Sequence, residues 1–417
     1  MRNERRARVC FRWSFALAAM LLVAVAGACR APASTARPVV LVSFDGFRWD
    51  YAARADTPNL DRIAATGARA ERLIPVFPSK TFPGHYSVAT GLYTGHHGII
   101  SNNMRDPGWP EAFRPAARDE VQNGRWWGGE PIWVTAKRQG LKAGVYFWPG
   151  SEAAVGGVRP DWWFAYDESV PWDTRVEAAI EWLTLPEGER ASLVALYFEE
   201  PNDAGHANGP DAPETTSAIE RADAILGRLV DGLASRGVEA NLVIVSDHGM
   251  AANDLSRLIV LDDYVSLEPG ELFEFGAIGQ IFPSEGREKT IFDALEGAHP
   301  ELAVYRRGAT PEGLHLYDNP RVAPILLVPT AGWEVIPRSL PGGGSPRFIA
   351  GDHGGDPSHP DMHGIFYAAG PDIAVGAVLD SVEQVDVYAL ACRLLGLEPA
   401  PHDGVWDRMA GAYAGRQ

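Results

Sequence analysis

The sequence is poor in cysteine. Cys10, Cys29 and Cys392 are the only three, and the first two fall in an N-terminal stretch with the marks of an export signal. The body that follows carries one thiol and cannot form an intrachain disulfide, so its stability rests on its core. Basic charge is scarce as well: 37 Lys and Arg stand against 54 Asp and Glu, a formal net charge of −17. So acidic a chain lacks the basic stripes that hold nucleic acid, which excludes a general nucleic-acid-binding surface. An anionic substrate must instead meet a local positive centre such as a metal. Internal repeats and low-complexity linkers are absent, and one domain with a cap is expected.

Long apolar runs are missing too. The longest, Phe15 to Ala28, is too short and too rich in small residues to span a membrane comfortably. Behind Arg2, Arg5, Arg6, Arg8 and Arg12 it reads as a secretory signal over residues 1–29. The run ends Val25-Ala26-Gly27-Ala28-Cys29, which resembles a bacterial lipobox with Cys29 lipidated. Ordinary cleavage after an Ala-rich site is the alternative. The first gives a membrane-tethered lipoprotein and the second a soluble periplasmic protein, with the same fold.

What is present, from Arg37 onward, is an alternation of buried strands with helices. Val39 to Phe44, Gly144 to Trp148, Leu193 to Phe198 and Asn241 to Ser246 are continuous apolar runs of strand length, as expected of central parallel strands covered on both faces. Thr57 to Gly67 reads as a helix. So does Glu214 to Arg236, where Ile219, Ala222, Ile225, Leu226, Leu229 and Leu233 form a core stripe. Residues 254–343 mix short strands with Gly- and Pro-rich turns and are expected to be an antiparallel insertion. The fold class is therefore α/β: a largely parallel central sheet flanked by helices over residues 37–412, plus a small cap or insertion.

Phe77-Pro78-Ser79-Lys80-Thr81-Phe82-Pro83-Gly84-His85-Tyr86 is a polar turn running into a helix that Gly91 stops. Thr81 falls at or just before its first turn, where free N–H groups and the helix dipole favour an anion. A hydroxyl there is commonly a plain N-cap. It is also a good place for one that attacks phosphorus.

Three apolar strands finish in metal-ligand residues: Asp45, then Asn202/Asp203 with His206, then Asp247-His248. Ligands in parallel α/β sheets bind beyond the strands' carboxyl ends, and carboxylates with imidazoles suit zinc. One Asp after a strand is usually a turn or cap residue. Three such sites in succession, two with His, favour metal. A fourth piece, Gly351-Asp352-His353-Gly354-Gly355-Asp356, adds His353 as a ligand candidate; His363, before an apolar strand, is expected only to line the site.

The blocks VVLVSFDGFRWDY, FPSKTFPGHYSVATGLYTGHHGIISNNM, YFWPGS, LYFEEPNDAGHANGP, VIVSDHGM and GDHGGDP with MHGIFYAAGP resemble the nucleotide pyrophosphatase/phosphodiesterase family of the alkaline phosphatase superfamily, in its compact bacterial form. The resemblance implies two zinc ions. One would be held by Asp45, Asp247, His248 and the Thr81 oxygen. The other would be held by the acid of the EEPxxxGH-type block, by His206 and by His353. It further implies Thr81 as nucleophile through a phospho-threonine intermediate, Asn102 as a donor to the phosphoryl oxygen, and Phe82 with Tyr166 as base-stacking aromatics. One departure matters: Asn202 stands where the family usually has Asp, with Asp203 beside it. Either Asn202 ligates, or Asp203 does, or the second metal is held more weakly.

These expectations amount to a zinc-dependent hydrolase that releases nucleoside 5′-monophosphates from a nucleotide phosphodiester or pyrophosphate. Alternatives are a phosphomonoesterase, a choline-type lipid-head-group phosphodiesterase with Glu152 or Asp161 near Trp148, Trp162 and Trp163 as a cation cage, and a non-catalytic nucleotide binder. Trp148 fits core better than pocket wall.

Overall fold

The computed structural model describes residues 36–340, 344 and 346–415; the expected export signal over residues 1–29, with Cys29, lies outside them. Eight strands form the main sheet: β1 (Val39–Phe44), β2 (Ala68–Ala70), β3 (Ala143–Tyr146), β4 (Trp162–Trp163), β5 (Leu193–Phe198), β6 (Asn241–Val245), β7 (Phe366–Ala369) and β8 (Ala377–Leu379). Their order is β8-β2-β7-β6-β1-β5-β3-β4. All neighbours pair in parallel except at β7, which runs antiparallel to both β2 and β6.

The apolar runs are continuous because both faces of the sheet are covered. Val39 and Leu41 of β1 point into one core layer, while Val40, Val42 and Phe44 point into the other. Helices α1 (Pro58–Thr66), α2 (Thr81–Thr90), α3 (Trp172–Thr184), α5 (Pro213–Ser235) and α6 (Gln384–Leu395) supply much of that cover, while the short α4 (Asn202–Asn208) precedes α5 and contributes to neither layer. Helices α2 and α6 pack into the first layer, while α1, α3 and α5 pack into the second. The stripe read along α5 is that core face, with Ile219, Ala222, Ile225, Leu226, Leu229 and Leu233 all buried.

Strand β3 ends at Tyr146, two residues before Trp148, because Phe147 turns the chain with φ +65°. Such a conformation is uncommon for a residue with a Cβ. Trp148 is buried and donates its Nε1–H to the His85 carbonyl at 2.9 Å, so it is core rather than pocket wall.

Between β6 and β7 the chain leaves the sheet. Leu272–Glu274, Gly279–Ile281, Leu302–Arg306 and Ile325–Pro329 form a separate four-stranded antiparallel sheet, and the helix Glu288–Leu295 joins it in a small core of its own. Glu274 ties this sheet to residues on either side of α2. It accepts Lys80 Nζ at 3.1 Å and Ser101 Oγ at 2.8 Å.

Candidate metal centre and nucleophile

Strands β5, β1 and β6 are adjacent and parallel, so their carboxyl ends open at one place. Asp45 follows β1, Asp247-His248 follows β6, and α4 begins four residues after β5 ends. Among the described residues, two groups of three His or Asp side chains have ligand atoms within 4.8 Å of one another: Asp45 with Asp247 and His248, and His206 with Asp352 and His353. The groups adjoin, because the His248 ring stacks on that of His353 with centroids 3.4 Å apart.

The donor set fits a cation, as its hydrogen bonds show. His248, His206 and His353 each have Nδ1 2.8 Å from a backbone carbonyl, of Gly249, Gly351 and Ser79 respectively. Donation from Nδ1 leaves the Nε2 lone pairs facing inward, the arrangement typical of metal-ligating histidines. His353 Nε2 and His206 Nε2 lie 3.2 Å apart, two acceptors with nothing of their own between them. The carboxylates are fixed in the same way. Tyr197 donates to Asp45 Oδ2 at 2.7 Å and the Gly46 N–H to Asp247 Oδ1 at 3.1 Å. The other oxygens, Asp45 Oδ1 and Asp247 Oδ2, are buried without a hydrogen-bond partner. They sit 3.2 and 2.9 Å from His248 Nε2.

Electrostatics agree. Burial raises the Asp45 carboxyl, and Asp247 raises it further. Burial acts the same way on Asp247, but His248 and His85 outweigh it and hold the group well below the usual carboxylate range. For His248 burial opposes the charged form, yet Asp247 and Asp45 prevail and push it up to about 10. Two buried carboxylates thus demand a positive charge between them, which a bound cation would supply. His353 goes the other way: burial, then His248 and His206, keeps it neutral and its lone pair free.

Thr81 opens α2, as its place in the sequence implies, and Gly91 closes the helix at φ +68°. Its Oγ1 lies 3.4 Å from His248 Nε2. The helix can approach so closely because residue 84 is glycine: a Cβ there would meet the Asp247 carbonyl at 2.7 Å. Lys80, the N-cap residue, makes no side-chain cap. Asn102 does so from outside the helix, its Oδ1 accepting the Phe82 N–H at 2.9 Å.

A match to the family described as "Type I phosphodiesterase / nucleotide pyrophosphatase" runs over residues 39–356. This chain belongs to that family. Within it, the human ectonucleotide pyrophosphatase/phosphodiesterase family member 5 is 37% identical over 88% of this chain and 76% of its own length. Human family member 7 is 36% identical over 93% and 86%. The solved structure of murine member 5 superposes with a TM-score of 0.85 at 35% identity, covering 90% of this chain and all of its own. One similar structure is an inactive threonine-to-alanine variant of the murine protein in complex with AMP, also at a TM-score of 0.85 and 35% identity over the same shares of the two chains. The fold is accordingly that of the alkaline phosphatase superfamily.

The remaining residues singled out in this phosphodiesterase chain fall as follows. Phe82 is half-buried against Phe113 and Trp127. Tyr166 is half-buried, edge-on to Phe147 and 6.3 Å from the Tyr197 ring. Asp203 is exposed and joins neither cluster; Asn202 is buried, with its Oδ1 unpartnered. His363 is buried, bonds Pro357 O through Nε2 at 2.9 Å, and joins neither cluster.

The cage envisaged for a choline-type cation is not there. Glu152 is occupied by Arg118, by Gln122 Nε2 at 3.1 Å and by the Tyr166 N–H at 3.1 Å. Asp161 is taken by Lys137 Nζ at 2.8 Å and by the Ala143 N–H at 2.9 Å.

Several residues were missed by sequence reasoning. Asp352 was visible beside His353 in the Gly-Asp-His-Gly string. Tyr197 and His85 carried no signal, for each lies within an apolar strand or helix and acts only through tertiary contact.

Proposed function

We propose that this chain is an exported, metal-dependent phosphodiesterase that cleaves nucleotide phosphodiester or pyrophosphate bonds and releases a nucleoside 5′-monophosphate. The observation that carries the reading is the Thr81 hydroxyl at a helix start, 3.4 Å from His248 Nε2 and beside two orphaned carboxylate oxygens. The AMP complex of the murine relative, made with a threonine-to-alanine variant described as inactive, supports both the substrate class and the nucleophile.

Asp45, Asp247, His248 and Thr81 would hold one divalent ion, and His206 and His353 with a third oxygen ligand another. Mixed carboxylate and imidazole donors suit zinc. When bound, such ions lower the hydroxyl pKa and neutralise phosphate charge. The protein's own residues do the rest. Thr81 Oγ1, its proton lost to solvent, attacks phosphorus and the bond to the leaving oxygen breaks; the phospho-threonine that remains is a diester still carrying the nucleoside, and water cleaves its bond to Thr81 to release the 5′-monophosphate and restore the hydroxyl. The helix start and the Asn102 amide face the charge that builds on the phosphoryl oxygens. Phe82 and Tyr166 hold the base by stacking, with little discrimination among bases. The basic start and apolar run of residues 1–29 support export, and Cys29 is the candidate lipid anchor. The N-terminal mass of the mature protein tests the anchor.

Purified protein is expected to hydrolyse p-nitrophenyl thymidine monophosphate well and p-nitrophenyl phosphate poorly, and Thr81→Ala to lose several orders of magnitude in turnover. The opposite preference would make it a phosphomonoesterase. Unchanged rates in Thr81→Ala would remove the covalent mechanism, and nucleotide binding without turnover would leave a non-catalytic binder.

A further inference from the structure

The two halves of the centre differ in charge. Asp45 and Asp247 each turn one unpartnered carboxylate oxygen toward His248 Nε2. The second half has no equivalent. Among the described residues Asp352 is the one carboxylate of that group, and both oxygens are engaged: Oδ1 accepts the His353 N–H at 2.8 Å and Oδ2 the Ala277 N–H at 3.2 Å. Asp352 also lies behind the ring it accompanies. Its Oδ1 is 4.0 Å from His206 Nδ1, the nitrogen bonded to the Gly351 carbonyl, whereas Nε2 faces His353. Asp352 therefore orients His206 rather than meeting a shared cation.

The remaining donor is Asn202. It begins α4 one turn before His206, which puts the two on one helix face. Its backbone N–H bonds the Asp45 carbonyl at 3.0 Å, so it stands at the junction of the two halves. Its Oδ1 is buried and unpartnered, while its Nδ2 is turned to Asp203 Oδ1 at 3.3 Å. An orphaned buried carbonyl is the amide atom that coordinates a cation.

We infer that the two positions fill in sequence. The first to fill is the dianionic one of Asp45, Asp247 and His248. The second is a neutral set of His206, His353 and the Asn202 carbonyl, and Asn202 sets its affinity apart. This rests on the two-metal reading above and adds a consequence: full activity follows the supply of free zinc, because the second site empties first. A hard anionic oxygen contributes far more to a divalent ion than a neutral amide oxygen. Even outer ligand-orienting residues alter metal affinity by about 10–100-fold, so a missing ligand charge is expected to separate the sites by at least about 100-fold.

The test is a calorimetric titration of chelator-stripped, refolding-checked full-length mature protein with Zn2+, beside competition with a chromophoric chelator. Wild type should take up two equivalents in two steps. Asn202→Asp should tighten the second step at least tenfold and leave the first alone, and Asn202→Ala should abolish or weaken the second. Two equal steps in wild type, or a second step lost in Asp203→Ala but retained in Asn202→Ala, would overturn the inference. Folded wild type taking up less than one equivalent at any zinc concentration would instead sink the two-metal reading itself. Circular dichroism on each variant separates loss of a ligand from loss of fold.

Discussion

The Tyr197 phenol donates to Asp45 Oδ2 at 2.7 Å, and the bond decides which oxygen of that carboxylate faces His248. Tyr197 sits on β5 and Asp45 directly after β1, so the sheet register itself aims the ligand. Tyr197→Phe removes the donor while keeping the ring. It leaves a buried carboxylate oxygen unsatisfied, which costs about 1–3 kcal/mol. It also frees Asp45 to rotate. We expect zinc affinity at the first site to fall by about 10–100-fold, with a matching loss of kcat at limiting zinc that excess zinc restores. Chelator competition alongside kinetics checks this. A stability loss with unchanged zinc affinity would make the phenol merely structural.

Asn102 is expected to have two separable effects. It caps α2 through the Phe82 N–H, and losing such a cap costs about 1 kcal/mol. If its amide also meets the phosphoryl oxygen, Asn102→Ala loses in addition about 10²–10³ in kcat with KM little changed. Thermal unfolding reads the first effect and steady-state kinetics the second. A variant that loses stability but keeps kcat leaves Asn102 as a cap alone.

Much of this arrangement is legible in the sequence, for reasons that can be named residue by residue. Val39 to Phe44 reads as a central strand because both faces must be apolar when helices cover them. Thr81 and Gly91 bracket α2 because helix ends have strong local chemistry. The limits have causes as well. Phe147 breaks β3 at a positive φ that an aromatic side chain gives no warning of, so the strand reads two residues too long. Tyr197 and His85 look like core residues until Asp45 and Asp247 are seen beside them. Glu152 and Asp161 look free in an aromatic stretch until Arg118 and Lys137 arrive from elsewhere in the chain. Periodicity reports which face a residue occupies, not what it meets there.

Glu152 should govern nucleotide affinity without touching substrate. It accepts the Tyr166 N–H and is itself held by Arg118 and Gln122. Glu152→Ala releases the Tyr166 backbone and with it the proposed stacking ring. One aromatic face contributes about 1–3 kcal/mol, so Tyr166→Ala is expected to raise KM for a nucleotide diester roughly 5–150-fold. Glu152→Ala should lie in the lower part of that range. A base-free diester such as bis-p-nitrophenyl phosphate should be nearly unaffected by either variant. Equal losses on both substrates would refute a base-stacking role for Tyr166.

Glu334 provides a pH signature of its own beside Asp352, at the edge of the second group. Burial, and then repulsion from Asp352, pushes its carboxyl up to about 7, against a partly offsetting pull from Lys80. The folded-state value thus lies above the ordinary 4.5 of the unfolded chain. Between those values the folded protein binds more protons than the unfolded one. The stabilisation is complete below about pH 4.5 and is lost as pH rises through about 7. Glu334→Gln keeps an oxygen for the Asn253 amide but cannot ionise. Relative to wild type it should therefore become progressively more favourable from pH 5 to pH 8, by about 1–2 kcal/mol after allowing for screening. Thermal unfolding of both proteins across that range, with zinc held in excess, measures the difference. A constant offset between the two curves would mean that Glu334 does not titrate in this window, and an offset growing toward low pH would reverse the sign of the argument.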